Sequence, residues 1–308
     1  MTRRSSGHHR LVPPVLGLAA LVLWATVGGI SATAATTIGL GSAGYFAVLG
    51  GSSVTNTGPT VVSGGDVGVS PGSSITGFTG PPSGTVTPPF SIQATTGLAA
   101  TAQSNLTTAY DQAAGAGAGT SESSIGTATL LPGIYTASSA LLLTGALTLN
   151  AQGNPNAVFI FQVASQLTAQ TGSSVQVING GPASACNVFW QVATSATLDG
   201  PTFTGTVMAL QGITLGSGVA VTGRLLARTA GDVTLINDTI NASACPSPTS
   251  TTPGTSTPIT GAFGVTPNGF PVLFLALTLF TAGILATSAS FWLGRRGERT
   301  QRSESAED

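Results

Sequence analysis

The chain of 308 residues contains no lysine, and only 6% of it is charged. Its nine basic residues, all Arg, face ten acidic ones, for a net charge of −1. Soluble domains are ordinarily about 25% charged, so an ordinary cytosolic surface is excluded. The lack of a basic excess removes the electrostatic footprint that nucleic acid requires. Disorder driven by charge repulsion is excluded as well, because 42% of the residues are apolar and such chains hold few. Aromatics are scarce, at 6%, and histidine occurs only as His8 and His9. Glycine is abundant at 42 residues but follows no three-residue period, which excludes collagen. What remains is a wall-like or membrane-associated protein rich in Gly, Ala, Ser, Thr and Val.

The two ends read differently from the middle. Arg3, Arg4 and Arg10 precede an apolar run from Leu11 to Ile30, followed by Ala32-Thr33-Ala34. A basic start, an apolar stretch and an A-x-A site predict a secretory signal over residues 1–35, cut before Ala35. Arg3-Arg4 also fits a twin-arginine signal, but the apolar residues that normally follow such a pair are missing. Pro246 to Gly269 is rich in Pro, Ser, Thr and Gly and reads as an extended spacer. Residues 270–293 are uncharged and mostly apolar, long enough to cross a lipid bilayer as a helix. Arg295, Arg296, Arg299 and Arg302 follow, which predicts a cytoplasmic tail at 294–308 and an extracellular domain on a single-pass cell-membrane protein. This arrangement resembles Gram-positive surface anchors. No LPxTG-type sorting motif precedes the apolar run, so a retained anchor is expected over sortase transfer.

Residues 36–245 form one domain, large enough for a full core. Arg224 and Arg228 stand there against Asp66, Asp111, Glu122, Asp199, Asp232 and Asp238. Cys186 and Cys245 are its only cysteines. In an exported chain an even pair reads as a disulfide, with two free buried thiols as the alternative. The second half repeats. Val158-Phe159-Ile160-Phe161-Gln162-Val163 returns as Asn187-Val188-Phe189-Trp190-Gln191-Val192, and Thr204-Gly205-Thr206-Val207 returns as Thr222-Gly223-Arg224-Leu225. Ala196-Thr197-Leu198, Ile213-Thr214-Leu215 and Val233-Thr234-Leu235 are short alternating runs bounded by turn residues, a strand signature. Short strands recurring at such spacing predict a mainly β, coil-by-coil stack: a β-solenoid with three faces and right-handed crossovers.

Alternation assigns the faces. The flanking residues of each run point inward, so Thr197, Thr214, Thr234 and Thr168 point outward, with Thr148 or Leu142 continuing the column. Such a column is a flat, uncharged row of hydroxyls and methyls. Threonine also simply favours solvated strand faces. Ser91 to Ala113 departs from the strand pattern, with Leu98, Ala102, Leu106 (or Asn105), Ala109, Tyr110 and Ala113 at helical spacing. One amphipathic helix packed along a solenoid face is therefore predicted, ended by Gly115, Gly117 and Gly119.

Several segments carry a resemblance. Leu40-Gly41-Ser42-Ala43-Gly44-Tyr45-Phe46-Ala47-Val48-Leu49, Val54-Thr55-Asn56-Thr57-Gly58-Pro59-Thr60 and Gly65-Asp66-Val67-Gly68-Val69-Ser70-Pro71-Gly72 come first. Leu131-Pro132-Gly133-Ile134-Tyr135, Phe159-Ile160-Phe161-Gln162, Phe189-Trp190-Gln191-Val192 and Thr222-Gly223-Arg224-Leu225-Leu226-Ala227 follow in order. Together these span nearly all of 37–241, and the chain resembles the microbial ice-binding (antifreeze) proteins with a discontinuous β-solenoid. The resemblance implies a right-handed triangular solenoid, one long helix alongside, and interleaved N- and C-terminal segments. It also implies an ice crystal surface as the partner of one flat face, no cofactor, and Thr-Ala/Gly-x-Thr/Asn patterns on that face. Thr168-Ala169-Gln170-Thr171 and Thr76-Gly77-Phe78-Thr79 match the pattern. Carried over, the ice-binding residues are Thr55, Thr76, Thr168, Thr171, Thr197, Thr214 and Thr234, with Leu142 a departure and Asp199 and Asp232 on the rim.

Two other functions compete. An enzyme on a β-solenoid needs a tuned acid–base group with a partner, and residues 36–245 hold neither His nor Lys. The group Arg224, Arg228, Asp232 and Asp238 could form a carboxylate–Arg or Ca²⁺ site, but reads better as coil corners and edge pairs. A non-enzymatic cell-surface adhesin or envelope structural protein on the same fold is the alternative.

Overall fold

A computed structural model describes residues 35–245, apart from 81 and 229, together with the isolated Thr2. The chain divides into two compact units, Met1–Ser250 and Thr251–Asp308. The second lies wholly outside the described residues, as do most of the expected signal segment and the expected spacer. The expected fold class and location included a transmembrane helix at 270–293, and this requires correction. No helix among the described residues is long and apolar enough to cross a membrane, and residues 270–293 themselves fall outside them. The expectation of a single-pass cell-membrane protein is set aside with it.

The domain is a stack of parallel strands in three ladders. Ladder A joins, in spatial order, Thr120–Ser121, Gly133–Ala137, Phe159–Val163, Val188–Val192, the ends of Thr202–Ala209 and Ala220–Ala227, then Phe46–Gly50, Asp66–Val69 and Ile92–Ala94. Ladder B joins Ser124–Ile125, Leu141–Leu143, Leu167–Ala169, Ser195–Leu198, Gly212–Ser217, Asp232–Ile236, Ser53–Thr57 and Ser74–Thr76. Ladder C runs from Ala128–Leu130 through Ala146–Asn150 and Ser174–Ile178 to Thr239–Asn241, Val61–Ser63 and Thr85–Val86. The order is discontinuous. Val48 pairs with Leu225, Val54 with Val233, and Val62 with Ile240, so the first coils of the sequence stack on the last one.

Side chains inside the coils interdigitate along the axis. Phe161 stacks on Trp190 with ring centroids 3.8 Å apart, and Tyr135 and Phe203 extend the column on either side. Trp190 donates its indole N–H to the Thr204 carbonyl at 3.0 Å, which satisfies its one polar atom in the core. The repeated Thr-Gly pair marks a corner. Gly205 and Gly223 have φ of +119° and +145° and stack in register where their long strands turn from ladder C into ladder A.

The inner strands of ladder A, such as Phe46–Gly50, Phe159–Val163 and Val188–Val192, are buried on both sides, which explains their unbroken apolar runs. Their outer cover is the helix α1, Gly97–Ala114. Its buried stripe of Ala99, Ala102, Leu106, Ala109, Tyr110 and Ala113 packs against Phe46, Leu49, Ile160, Phe189, Met208 and Leu226. The helix begins six residues later than Ser91, the predicted start. Ile92–Ala94 instead adds a strand to Asp66–Val69, Thr95 turns with φ +55°, and Thr96 caps α1 by accepting from the Ala99 N–H at 3.2 Å. Leu98 consequently faces solvent and Ala99 takes its place in the stripe. At 18 residues α1 is about 27 Å long, against eight ladder steps of about 4.8 Å. With its flanking loops it returns the chain from one end of the stack to the other.

Polar side chains fasten α1 to strand backbones. Gln103 donates to the carbonyls of both Gly50 and Ala227, at 3.0 Å each, and so bridges the seam between the first and last coils. Tyr110 donates to the Val192 carbonyl and accepts from Gln191, while Arg228 lies over its ring. Gln103→Leu keeps the bulk and removes both seam bonds. We expect a loss of about 1–3 kcal/mol, measured as a lower midpoint in denaturant unfolding.

Candidate functional site

Ladder A is covered by α1, so ladders B and C supply the broad open faces. On ladder B each rung places one residue outward between two inward ones. The outward residues fall in register as Ser124, Leu142, Thr168, Thr197, Thr214, Thr234, Thr55 and Thr76. Their flanks are buried in nearly every rung: Leu167 and Ala169, Ala196 and Leu198, Ile213 and Leu215, Val233 and Leu235. The core therefore fixes which way each threonine points. Six successive rungs carry threonine, a row about 24 Å long at the usual strand spacing.

The hydroxyls of this row are largely unengaged. Thr197 Oγ1 accepts from Gln166 at 3.4 Å. Among the described residues no side-chain hydrogen bond occupies those of Thr55, Thr76, Thr168, Thr214 or Thr234. Thr171 stands apart from the row: the strand ends at Ala169, and Thr171 is exposed in the turn beyond it. Ser124, not expected from the sequence, extends the row at the other end; its two-residue strand is too short to show alternation. Of the two expected alternatives, Leu142 joins the row and Thr148 lies on ladder C.

Ladder C is less uniform. Gln176 follows Thr148 in register and donates to it at 3.3 Å, Asn241 interrupts Thr222 and Ser63, and Val61 and Ile178 protrude with about 40% exposure (41% and 38%). The uniform row belongs to ladder B.

Asp199 and Asp232 flank that row. The Thr214 rung reads Gly212-Ile213-Thr214-Leu215-Gly216, so its neighbours on the outward side are two glycines. A Cβ on Gly212 would lie 2.6 Å from Asp232 Oδ1, and one on Gly216 would lie 2.7 Å from Asp199 Oδ1. The two carboxylates thus lie against the strand on opposite sides of Thr214, each leaning in from an adjacent rung.

The group Arg224, Arg228, Asp232 and Asp238 is dispersed by the fold. Arg224 is buried and donates to the carbonyls of Gly44 and Cys245; burial pushes its guanidinium down to about 10. Arg228 sits 3.8 Å from Asp111 beside α1. Asp238 is buried at a coil corner, where its carboxylate accepts from the Val219 and Ile236 amides. Among the described residues no group of acidic, Cys or His side chains could hold a metal ion. Cys186 and Cys245 are joined, with Cα atoms 5.2 Å apart, and tie the segment after Thr239–Asn241 to the turn before Val188.

Burial raises the pKa of Asp238 despite its amide donors, and raises that of Asp66 despite the Ser91 amide. A carboxyl whose folded pKa lies above its unfolded value of 3.8 holds its proton longer in the native state. The stability it contributes is complete below that unfolded value and is lost as pH rises through the folded one. Melting temperature should therefore fall as pH rises above 3.8, and Asp238→Asn should flatten the profile in thermal scans.

Comparison with known proteins agrees with this architecture. Residues 48–241 match the ice-binding-like family. An ice-binding protein of Nostoc sp. (strain HG1) is 43% identical over 222 residues, covering 70% of this chain and 77% of its own. The crystal structure of an ice binding protein from an Antarctic biological consortium is similar with a TM-score of 0.62 at 41% identity, over 68% of this chain and 92% of that one. That of an ice-binding protein from Antarctomyces psychrotrophicus gives 0.60 at 36% identity, over 67% and 98%. These relatives are ice-binding proteins. On the family match and the shared solenoid, this chain belongs to the ice-binding-like family.

Proposed function

We propose that the chain adsorbs to ice through the threonine row of ladder B. The observation that carries this reading is the register: Thr168, Thr197, Thr214, Thr234, Thr55 and Thr76 occupy successive rungs, the first five with buried neighbours on both sides. Each threonine offers a methyl and a hydroxyl on a rigid backbone spacing. Waters ordered along such a row merge with the ice lattice, and adsorbed molecules force the growing front to curve between them. Because the face is preformed, binding avoids the ordering cost a flexible surface would carry. No reaction and no cofactor enters this mechanism. Thr171, displaced into a turn, is left out of the site.

The test is ice shaping and thermal hysteresis by the purified chain, with Thr222→Tyr on ladder C as a control. The wild type should facet growing crystals and depress their growth temperature, and the control should behave like it. Unfaceted, freely growing discs would favour the adhesin reading instead. Loss of activity in Thr222→Tyr would move the site to ladder C.

A further inference from the structure

Resting on the reading of ladder B as the ice face, we infer that Asp199 and Asp232 set the width of the contact and hold the protein below the affinity its threonine row could reach. The Thr214 rung is central in the row, and centres of interfaces carry most of the binding energy. There the two outward neighbours of the threonine are glycines, and each glycine is roofed by a carboxylate from the next rung. Both aspartates are exposed. Among the described residues neither carboxylate has a hydrogen bond or an ion pair. A water-facing carboxylate orients its hydration shell toward itself, and stripping that shell without a partner is costly. The two glycines that the carboxylates cover are about 13 Å apart along the strand, two pleat repeats. Between them ice meets one threonine wide, and beyond them the lattice is refused.

The arrangement acts as a device against wider contact, in the sense that specificity arises from unpaired charges placed against the wrong partner. On either side of the pinch the row continues, through Thr197 and Thr168 in one direction and Thr234, Thr55 and Thr76 in the other. The contact is consequently a line of hydroxyls along the solenoid axis. A two-dimensional patch would need the positions at 199 and 232 to be neutral.

The test uses purified chain with Asp199→Asn, Asp232→Asn and both together, since Asn keeps the shape and removes the charge. The double variant should raise thermal hysteresis about twofold at equal concentration, the lost charge penalty being the cause. Fluorescently labelled protein on a single ice hemisphere should also stain additional planes. Unfolding midpoints are measured in parallel, so that a change in folding is not read as a change in ice contact. Unchanged or reduced hysteresis with an unchanged staining pattern overturns the inference. Thr234→Tyr separates the two levels. If it abolishes activity while the Asp variants do nothing, the row stands and the pinch falls; if Thr234→Tyr also retains full activity, the face itself is wrong.

Discussion

Gly223→Val is expected to leave the chain unable to reach its folded state. A Cβ at this position would stand 2.1 Å from the carbonyl oxygen of Gly205 in the adjoining rung, a backbone atom with no room to retreat. The residue also holds φ +145°, a conformation a β-branched side chain does not adopt. Relief would require parting the rungs at the corner where Gly205 itself packs against Val188 and the Trp190 indole. The cost exceeds about 4–5 kcal/mol, a large share of the roughly 5–15 kcal/mol that holds a domain together. Gly218→Ala is the matched control: φ is +80° and nothing lies within 4 Å of the added atom. It should cost only about 1–2 kcal/mol, the penalty of a left-handed residue. Circular dichroism and thermal unfolding of the two variants decide the matter. A cooperative Gly223→Val transition near the wild-type midpoint would contradict the corner argument.

Thr234→Tyr should abolish ice shaping and thermal hysteresis while leaving the unfolding transition close to that of the wild type. Thr234 joins the two parts of the row, in register with Thr214 on one side and Thr55 on the other. Its side chain points away from the core, whose contacts at this rung come from Val233 and Leu235. A phenol ring added there stands above the plane of the face, and a rigid flat surface cannot approach a protruding ring without losing contact over several rungs. Surface substitutions of this kind cost within about 0.5 kcal/mol of stability. Retained faceting in a folded Thr234→Tyr variant would remove ladder B from consideration.

The outward threonines were legible to different degrees. Thr168, Thr197, Thr214 and Thr234 sit in runs where both neighbours are apolar, so period two alone assigns them. Thr55 and Thr76 are flanked by Asn56 and Gly77, which do not read as core, and only the resemblance to the family reached them. The fold makes Asn56 acceptable inside because its amide donates to the carbonyls of Gly58 and Gly77. Thr171 misled for the opposite reason: its spacing from Thr168 follows the family pattern, but the strand has already ended. The start of α1 was obscured by a three-residue strand, Ile92–Ala94, whose pairing with Val67 to Val69 no local pattern announces. The pinch around Thr214 needed coordinates altogether. Sequence placed Asp199 and Asp232 on the rim, but that each would lie over a glycine of the neighbouring rung depends on pairings between separate segments.

The discontinuous stacking order also sets a schedule for biosynthesis. The Asp238 amide donates to Thr60 Oγ1 across a sequence separation of 178 residues. The first coils cannot find their neighbours until that much more chain has been made, which at about 5–20 residues per second takes roughly 10–35 s. Throughout that interval the edges of Phe46–Gly50 and Ser53–Thr57 lack the strands that cover them in the native stack. The row itself is completed last, when Thr234 arrives beside Thr55. A chain that stops short of Thr234 would therefore lack the joined row and be inert toward ice.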